Sequence, residues 1–473
     1  MTTNSELAFA SIAEIGKLYR NRKLSPVELT GLLLSRIEKH NPQINAYITI
    51  TADLALKQAK IAEAELAKGR ARSPRRDRGP LHGIPISLKD NIYTAGVRTT
   101  AGSGILRNFV PTQDAPVVTA LKQSGAVLLG KTNMHEFAYG TTNNNPHFGS
   151  VHNPWDLARI SGGSSGGSAA ALAAGLCYGS IGTDTGGSVR IPSSLCGTVG
   201  LKLSIGRVST EHVIPLSPTL DVLGPMARTV SDVGVLFRAI AGSSLTQNST
   251  RSPRLSSARA RKPRLGVPKE FFFDVLSVDI AASFDRALRL LRKNGAHLKT
   301  ISLPVVAETE AAGNHIAWPE ALLFHQQSGW FPAKSADYGE DVRSRLEMGT
   351  KISAISYLQA LQFRAKFIAK LHSALREYDL DALVVPTTPI TASLIGEESI
   401  TINGQSQMTR ALLLRLNRPA NVAGLPAISV PVDPGKNNLP IGLQFIGTAN
   451  SELTLLAIAL NFERLHPARN LNH

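Results

Sequence analysis

Two segments rich in glycine and serine carry the residues best suited to chemistry. The first, Ser161-Gly162-Gly163-Ser164-Ser165-Gly166-Gly167-Ser168, opens directly into Ala169-Ala170-Ala171-Leu172-Ala173-Ala174. A Gly/Ser run by itself reads as a flexible linker. Leading into an apolar alanine helix, this one reads as packed, with backbone that other groups can approach closely and hydroxyls beside it. It lacks the Gly-Lys-Ser/Thr ending of a phosphate loop and the GxGxxG of a dinucleotide fold. The second segment, Asp184-Thr185-Gly186-Gly187-Ser188-Val189-Arg190, sets two glycines before a serine. Successive N–H groups can converge there into an anion-binding concavity, and a hydroxyl at its rim can be a nucleophile whose oxyanion those amides stabilise. Asp184 and Arg190 flank the turn with opposite charges and read as a structural pair clamping the loop.

A serine nucleophile needs a base. None of the 12 histidines is placed so that sequence alone assigns it that part. Lys89, at the end of Gly83-Ile84-Pro85-Ile86-Ser87-Leu88-Lys89, is the other candidate. Free lysine has a pKa of about 10.4, so it serves as a base near neutrality only where burial disfavours its charge. Taken alone, a lysine at a strand end is a solvated surface charge.

The elements that must position these groups alternate in type. Ser25-Pro26-Val27-Glu28 combines a capping serine, a proline at the first helical position and a glutamate three residues after the cap. It predicts a helix carrying Leu29, Leu32, Leu33 and Ile37. Helical patterns also cover residues 51–68, 169–177, 230–241, 280–293, 354–378 and 452–464. Short apolar runs at 83–88, 126–130, 264–267, 382–386, 427–431 and 441–446 read as buried strands. The alternation argues an α/β fold around one large sheet, with no internal repeat.

With 473 residues, 43% hydrophobic and 18% charged, the chain is not wholly disordered. Its net charge of +16 is concentrated in two segments, 69–79 with +4 and 251–264 with +6. Both are rich in Arg, Ser and Pro without apolar periodicity or interleaved aromatics, and read as solvated loops rather than nucleic-acid arms. Cys177 and Cys196 make neither a disulfide framework nor a metal-ligand spacing. The first residues lack a secretory signal and no apolar run reaches membrane length, so the expectation is a cytoplasmic protein with no membrane partner.

In order along the chain, GIPISLKDN, NPWDLARISGGSSGGSAAALAAG and GTDTGGSVRIPSSLCGTVGLK place Ser164 and Ser188 24 positions apart. This set resembles the amidase signature family. GRVS, LDVLGPMARTVSDV, VVPTTP, RPANVAGLPAISVP and LPIGLQFIG extend the resemblance over residues 6–465, and Leu203-Ser204 departs from a common Pro-Thr. The resemblance implies one amidase domain over 1–473, with a large mixed central sheet covered by helices on both faces. It implies Ser188 as nucleophile, Ser164 after a cis peptide bond as relay, and Lys89 as base. The amides of Thr185, Gly186, Gly187 and Ser188 would form the oxyanion hole, with Ser165 in support. Water would hydrolyse the acyl-enzyme without metal or organic cofactor.

For the substrate, Leu412-Leu413-Leu414-Arg415-Leu416 before Asn417 reads as an apolar approach to the pocket or as the buried face of a helix, and Gly140 to Pro146 as a pocket-lining loop. The expectation is a small hydrophobic or aryl amide, or a carbamate as for a urethanase, turned over by a monomer or homodimer that binds no nucleic acid. The alternative is the glutaminase component, or A subunit, of glutamyl-tRNA(Gln)/aspartyl-tRNA(Asn) amidotransferase, which makes ammonia from glutamine for a partner. That component is expected to carry an acidic residue for the glutamine amine where the leucine run stands. A catalytically silent binder of anionic polymers is a further alternative, and the intact set Lys89, Ser164 and Ser188 speaks against it.

Overall fold

The computed structural model describes residues 3–69, 78–242 and 262–466. Most of both basic segments, residues 70–77 and 251–261, lies outside the described residues. At their described edges Arg78 pairs with Glu65, and Arg264 with Asp379.

The strands are β1 (Tyr47–Ile50), β2 (Pro85–Lys89), β3 (Val127–Thr132), β4 (His152–Asn153), β5 (Asp156–Ile160), β6 (Gly179–Asp184), β7 (Val199–Lys202), β8 (Val222–Ala227), β9 (Arg264–Pro268), β10 (His297–Ile301), β11 (Ala382–Pro386), β12 (Ser399–Ile402), β13 (Gln405–Met408), β14 (Ala427–Val432) and β15 (Ile441–Ile446). Eleven join one sheet in the order β1-β3-β2-β6-β8-β7-β14-β15-β11-β9-β10, while β4 with β5 and β12 with β13 form separate pairs. The sheet is mixed: β3, β2 and β6 run parallel, as do β11, β9 and β10, and the strands between them are antiparallel. All six runs read as strands from the sequence lie in this sheet, on both sides of residues 243–261.

Alternation along β11 shows that both faces are covered. Ala382 and Val384 share a core with Ile280, Phe284 and Leu291 of the Val278–Lys293 helix. Leu383 and Val385 point the other way, into a core with Phe367 and Leu371 of the Ala354–Glu377 helix. Period-two strand geometry delivers one buried set to each layer.

The predicted helix after Ser25 spans Pro26–Ile44. Ser25 Oγ accepts from the Glu28 amide at 3.2 Å and the Glu28 carboxylate accepts from the Ser25 amide at 2.7 Å, the reciprocal capping expected. The alanine helix spans Gly166–Ala173, starting earlier and ending sooner than its apolar pattern, because Gly175 adopts φ +66° and stops it. Every residue of it is buried. Gly167 makes this docking possible: its N–H donates to Asn133 O at 3.0 Å, and a Cβ there would lie 2.4 Å from Asn133 O and 2.5 Å from Ala46 O. Ser168 Oγ bonds Thr132 Oγ1 at 2.8 Å and Ser180 Oγ at 2.9 Å, so the helix is locked across β3 and β6.

Gly167→Ala is therefore expected to destabilise the protein by about 1–3 kcal/mol, the usual effect of forcing a methyl into a filled interior. The check is urea unfolding, in which the midpoint should fall with an unchanged m value.

Candidate active site

Lys89 ends β2, and Thr183 and Asp184 end β6, its parallel neighbour. The carboxyl ends of adjacent parallel strands open on a common crevice, the usual ligand position of α/β sheets. Lys89 is no surface charge. It is fully buried, and its Nζ donates to Ser164 Oγ and Thr183 Oγ1, each at 2.7 Å. Burial pushes its pKa down to about 7, against the pull of the Asp221 and Asp184 charges. Thr183 escaped the sequence reading although it lies within the quoted motif, because nothing in its type distinguishes it from other strand threonines.

The Gly163–Ser164 peptide bond is cis. Ser164 O accepts from His135 N at 3.2 Å, and Ser165 N donates to Ser188 O at 3.1 Å, which ties the two Gly/Ser segments together. Ser165 Oγ donates to Thr183 O at 3.3 Å. Among the described residues no hydrogen bond joins the Ser164 and Ser188 hydroxyls; the Lys89–Ser164 half of the expected relay is the one formed. Ser188 lies in the wall of a cavity together with Thr185 and Gly186, whereas Lys89 and Ser164 are buried outside its lining.

Asp184 and Arg190 are both fully buried and bonded to each other, Arg190 Nε to Oδ2 and Nη2 to Oδ1 at 3.0 Å each. Burial alone would raise the Asp184 carboxyl; the Arg190 charge and hydrogen bonds outweigh it and hold the group well below the usual carboxylate range. Arg190 also donates to Gln444 Oε1 at 2.7 Å, Asn421 Oδ1 at 2.6 Å and Asn417 O at 3.1 Å.

One expectation is corrected here. The Gly187 N–H donates to Asp184 Oδ1 at 2.8 Å and is committed to that carboxylate. Of the four amides expected to face the reacting oxygen, that of Gly187 is taken by this carboxylate. Gly187 has φ +124°, and a Cβ there would lie 2.7 Å from Asn417 Cβ, so the turn requires glycine. Thr185 Oγ1 in turn donates to Asp221, which also accepts from Leu216 N at 2.8 Å and Ser217 N at 3.1 Å. Burial raises the Asp221 carboxyl to about 6. Asp221 belongs to the quoted LDVLGP run, but no spacing linked it to Thr185.

The leucine run divides between an approach to the cavity and the buried face of a helix. Of the leucine run only Leu414 reaches the cavity wall; Leu412 and Leu413 pack with Ile160, Ile191 and Leu195, and Leu416 lies in another core. Arg410 and Arg418 line the cavity beside Leu414 and Trp318. Of the 140–146 loop, Gly140 and Thr141 line it, while Asn143 accepts from Gly166 N at 3.1 Å and Asn145 bonds Gly102 O at 2.7 Å. Among the described residues no group of three or more His, Cys, Asp or Glu could hold a metal ion, and no helix is long and apolar enough to cross a membrane. Cys177 and Cys196 are buried free thiols.

Comparison with known proteins matches residues 28–456 to the family model described as Amidase. The A subunit of Geotalea daltonii glutamyl-tRNA(Gln) amidotransferase is 37% identical over 485 residues, covering 97% of this chain and 98% of that one. A crystal structure of an amidase is 32% identical with a TM-score of 0.87, covering 97% of this chain and all of the other. The peptide amidase of Stenotrophomonas maltophilia is 30% identical with a TM-score of 0.81, covering 98% of both chains.

Arg190→Met leaves Asp184 buried without its cation. Breaking such a pair from one side costs about 3–5 kcal/mol, so the variant should unfold at markedly lower urea concentration. Arg190→Lys should recover only part of the loss, because an ammonium cannot reproduce the planar set of donors. Chemical denaturation of the three proteins side by side checks both expectations.

Proposed function

The chain belongs to the amidase family, and we propose that it hydrolyses the C–N bond of a small carboxylic amide through an acyl-enzyme on Ser188. One observation carries the reading: Ser188 lies in the cavity wall, and outside that lining a fully buried lysine with a depressed pKa donates to the Ser164 hydroxyl at 2.7 Å. Neutral Lys89 takes a proton from Ser164 as Ser164 takes one from Ser188, and Ser188 Oγ attacks the carbonyl carbon. Thr183 Oγ1, the second partner of Nζ, keeps the amine directed at Ser164. The N–H groups of Thr185, Gly186 and Ser188 receive the oxyanion. As the tetrahedral intermediate collapses, the proton returns along the same hydroxyls to the leaving nitrogen. Water, deprotonated by the same chain, then releases the acid and restores Ser188.

A second reading concerns the fate of the amide nitrogen. Similarity along nearly the whole chain to a glutamyl-tRNA(Gln) amidotransferase component favours release of ammonia from glutamine for a partner protein. Similarity to peptide amidase supports hydrolysis by the chain alone. Assays of the purified chain on L-glutamine, neutral amides and aryl carbamates, with and without a candidate partner protein, separate the two.

Two outcomes are expected. Ser188→Ala should abolish turnover and accept no fluorophosphonate adduct, while the parent gains one adduct at Ser188; labelling of Ser164 with activity retained in Ser188→Ala would overturn the assignment. For the parent, kcat/KM should rise as pH increases through about 7, where Lys89 loses its proton. Lys89→Arg should be nearly as inactive as Lys89→Ala, since guanidinium holds its proton throughout this range. An active Lys89→Arg enzyme with the parental pH profile would remove the lysine from the mechanism.

A further inference from the structure

Resting on the hydrolase reading of Ser188, we infer that the substrate is an amide bearing a carboxylate without a neighbouring ammonium, and that Arg410 is the residue that selects it. The cavity that Ser188 opens on contains two cations, Arg410 and Arg418, and no aspartate or glutamate in its wall. Arg410 and Leu414 stand one turn apart on the Thr409–Arg415 helix, so both face the cavity. Leu414 Cδ2 reaches within 2.9 Å of the position a Cβ on Gly186 would take, which brings this helix face against the turn that holds Ser188.

Arg410 is half-buried, its Nε is closed off from solvent, and among the described residues it has neither a hydrogen bond nor an ion pair. The acids around it are engaged elsewhere. Asp341 bonds His135 at 2.7 Å and Arg345 at 2.8 Å, and Glu310 lies 3.7 Å from Arg415. Arg418 spends Nη1 on Asn314 Oδ1 at 2.8 Å and Glu310 O at 3.4 Å and leaves Nε without a partner. Burial, and then the charges of Arg345 and Arg418, lower Arg410 to about 9; burial lowers Arg418 to about 10. Both stay charged at neutral pH, Arg418 buried and Arg410 half-buried in one cavity wall, an arrangement that an anion relieves.

The other polar atoms of the wall match the same ligand. Tyr139 Oη, Thr141 Oγ1 and Trp318 Nε1 are buried without partners, and each can donate. A carboxylate only accepts, and offers about four lone-pair sites to such a donor set. An ammonium beside two guanidinium groups, with no acid to receive it, is disfavoured. L-Glutamine presents that ammonium and the monoamide of glutaric acid does not, which distinguishes this site from one built for glutamine.

The test compares kcat/KM for the monoamides of succinic and glutaric acid with butyramide, valeramide and L-glutamine. At least one acid monoamide should exceed its neutral counterpart by about tenfold or more, the effect of a charge-assisted hydrogen bond, and the glutaric monoamide should exceed L-glutamine. Arg410→Met should lower the ratio of kcat/KM for the acid monoamide to that for its neutral counterpart about 10- to 100-fold. Should that variant fail to fold, the parent alone still decides: succinate or glutarate should slow fluorophosphonate labelling of Ser188, and an equal concentration of chloride should not. If Ser188 labels and neutral amides are turned over as well as acid ones, or Arg410→Met keeps the acid preference, or neither dianion protects Ser188, the selection is refuted while the hydrolase stands. If Ser188 does not label and no amide is cleaved, both readings fall.

Discussion

The buried pair of Asp184 and Arg190 is the constraint on which the rest of the site depends. A guanidinium sealed inside a protein is tolerable only when its donors are all engaged, and here they are, by one carboxylate, two side-chain amides and one backbone carbonyl. Those partners come from the end of β6, from the chain around Asn417 and Asn421, and from Gln444 in β15. The same carboxylate draws in the amides of Gly187 and Val189, so the bend that presents Ser188 is shaped by a charge no substrate touches. Its partners also fix the segment just after the arginine-bearing helix, and the cavity wall is thereby referenced to the serine it faces.

Burial does a different task at Lys89, and a comparison within the molecule isolates what matters. Lys131 and Lys202 are buried as well, and burial lowers them to about 8 and about 7. Lys202 Nζ donates to two backbone carbonyls, Leu203 O at 3.1 Å and Leu425 O at 2.8 Å. Lys131 Nζ donates to Ile92 O at 2.6 Å and Thr99 Oγ1 at 2.7 Å, with Asp90 at 3.6 Å. A carbonyl can accept a proton's attraction but has none to hand over. Lys89 meets two hydroxyls, and a hydroxyl both takes and gives. A depressed pKa is common to all three lysines; Lys89 differs from the other two in having hydroxyls as both of its hydrogen-bond partners.

The sequence made the strong local signals readable. Continuous apolar strands such as β11 and β15 and the capping serine of the Pro26–Ile44 helix stand out because each is a short-range pattern with one physical explanation. The strand β6 did not, since Gly-Ser-Ile-Gly-Thr-Asp has little apolar content; it stands fourth of the eleven strands, paired with β2 and β8, and Ser180 Oγ bonds Ser87 O and Ser168 Oγ, partners distant in sequence. Lys89 and Ser188 stood out in their own segments, but their grouping with Ser164 was legible only through the resemblance, because such a grouping is tertiary. Arg410 escaped notice as a lone basic residue before leucines, and the engagement of the Gly187 amide with Asp184 was invisible, because which way a peptide N–H turns is settled by the partners around it. The leucine run divides: helical geometry turns Leu412 and Leu413 into the core, and Leu414 with Arg410 toward a cavity also lined by Leu216, Leu220 and Val422.

The long reach of Arg190 bears on how the protein comes into being on the ribosome. Its partners Asn417, Asn421 and Gln444 are encoded 227, 231 and 254 residues after it. While the first half of the chain emerges, Lys89, Ser164 and Ser188 are already present, but of the side-chain partners of Arg190 only Asp184 has yet been made. Contacts this distant in sequence form late and slowly. The bend that carries Ser188 thus lacks most of its clamp until the last strands of the sheet have been made.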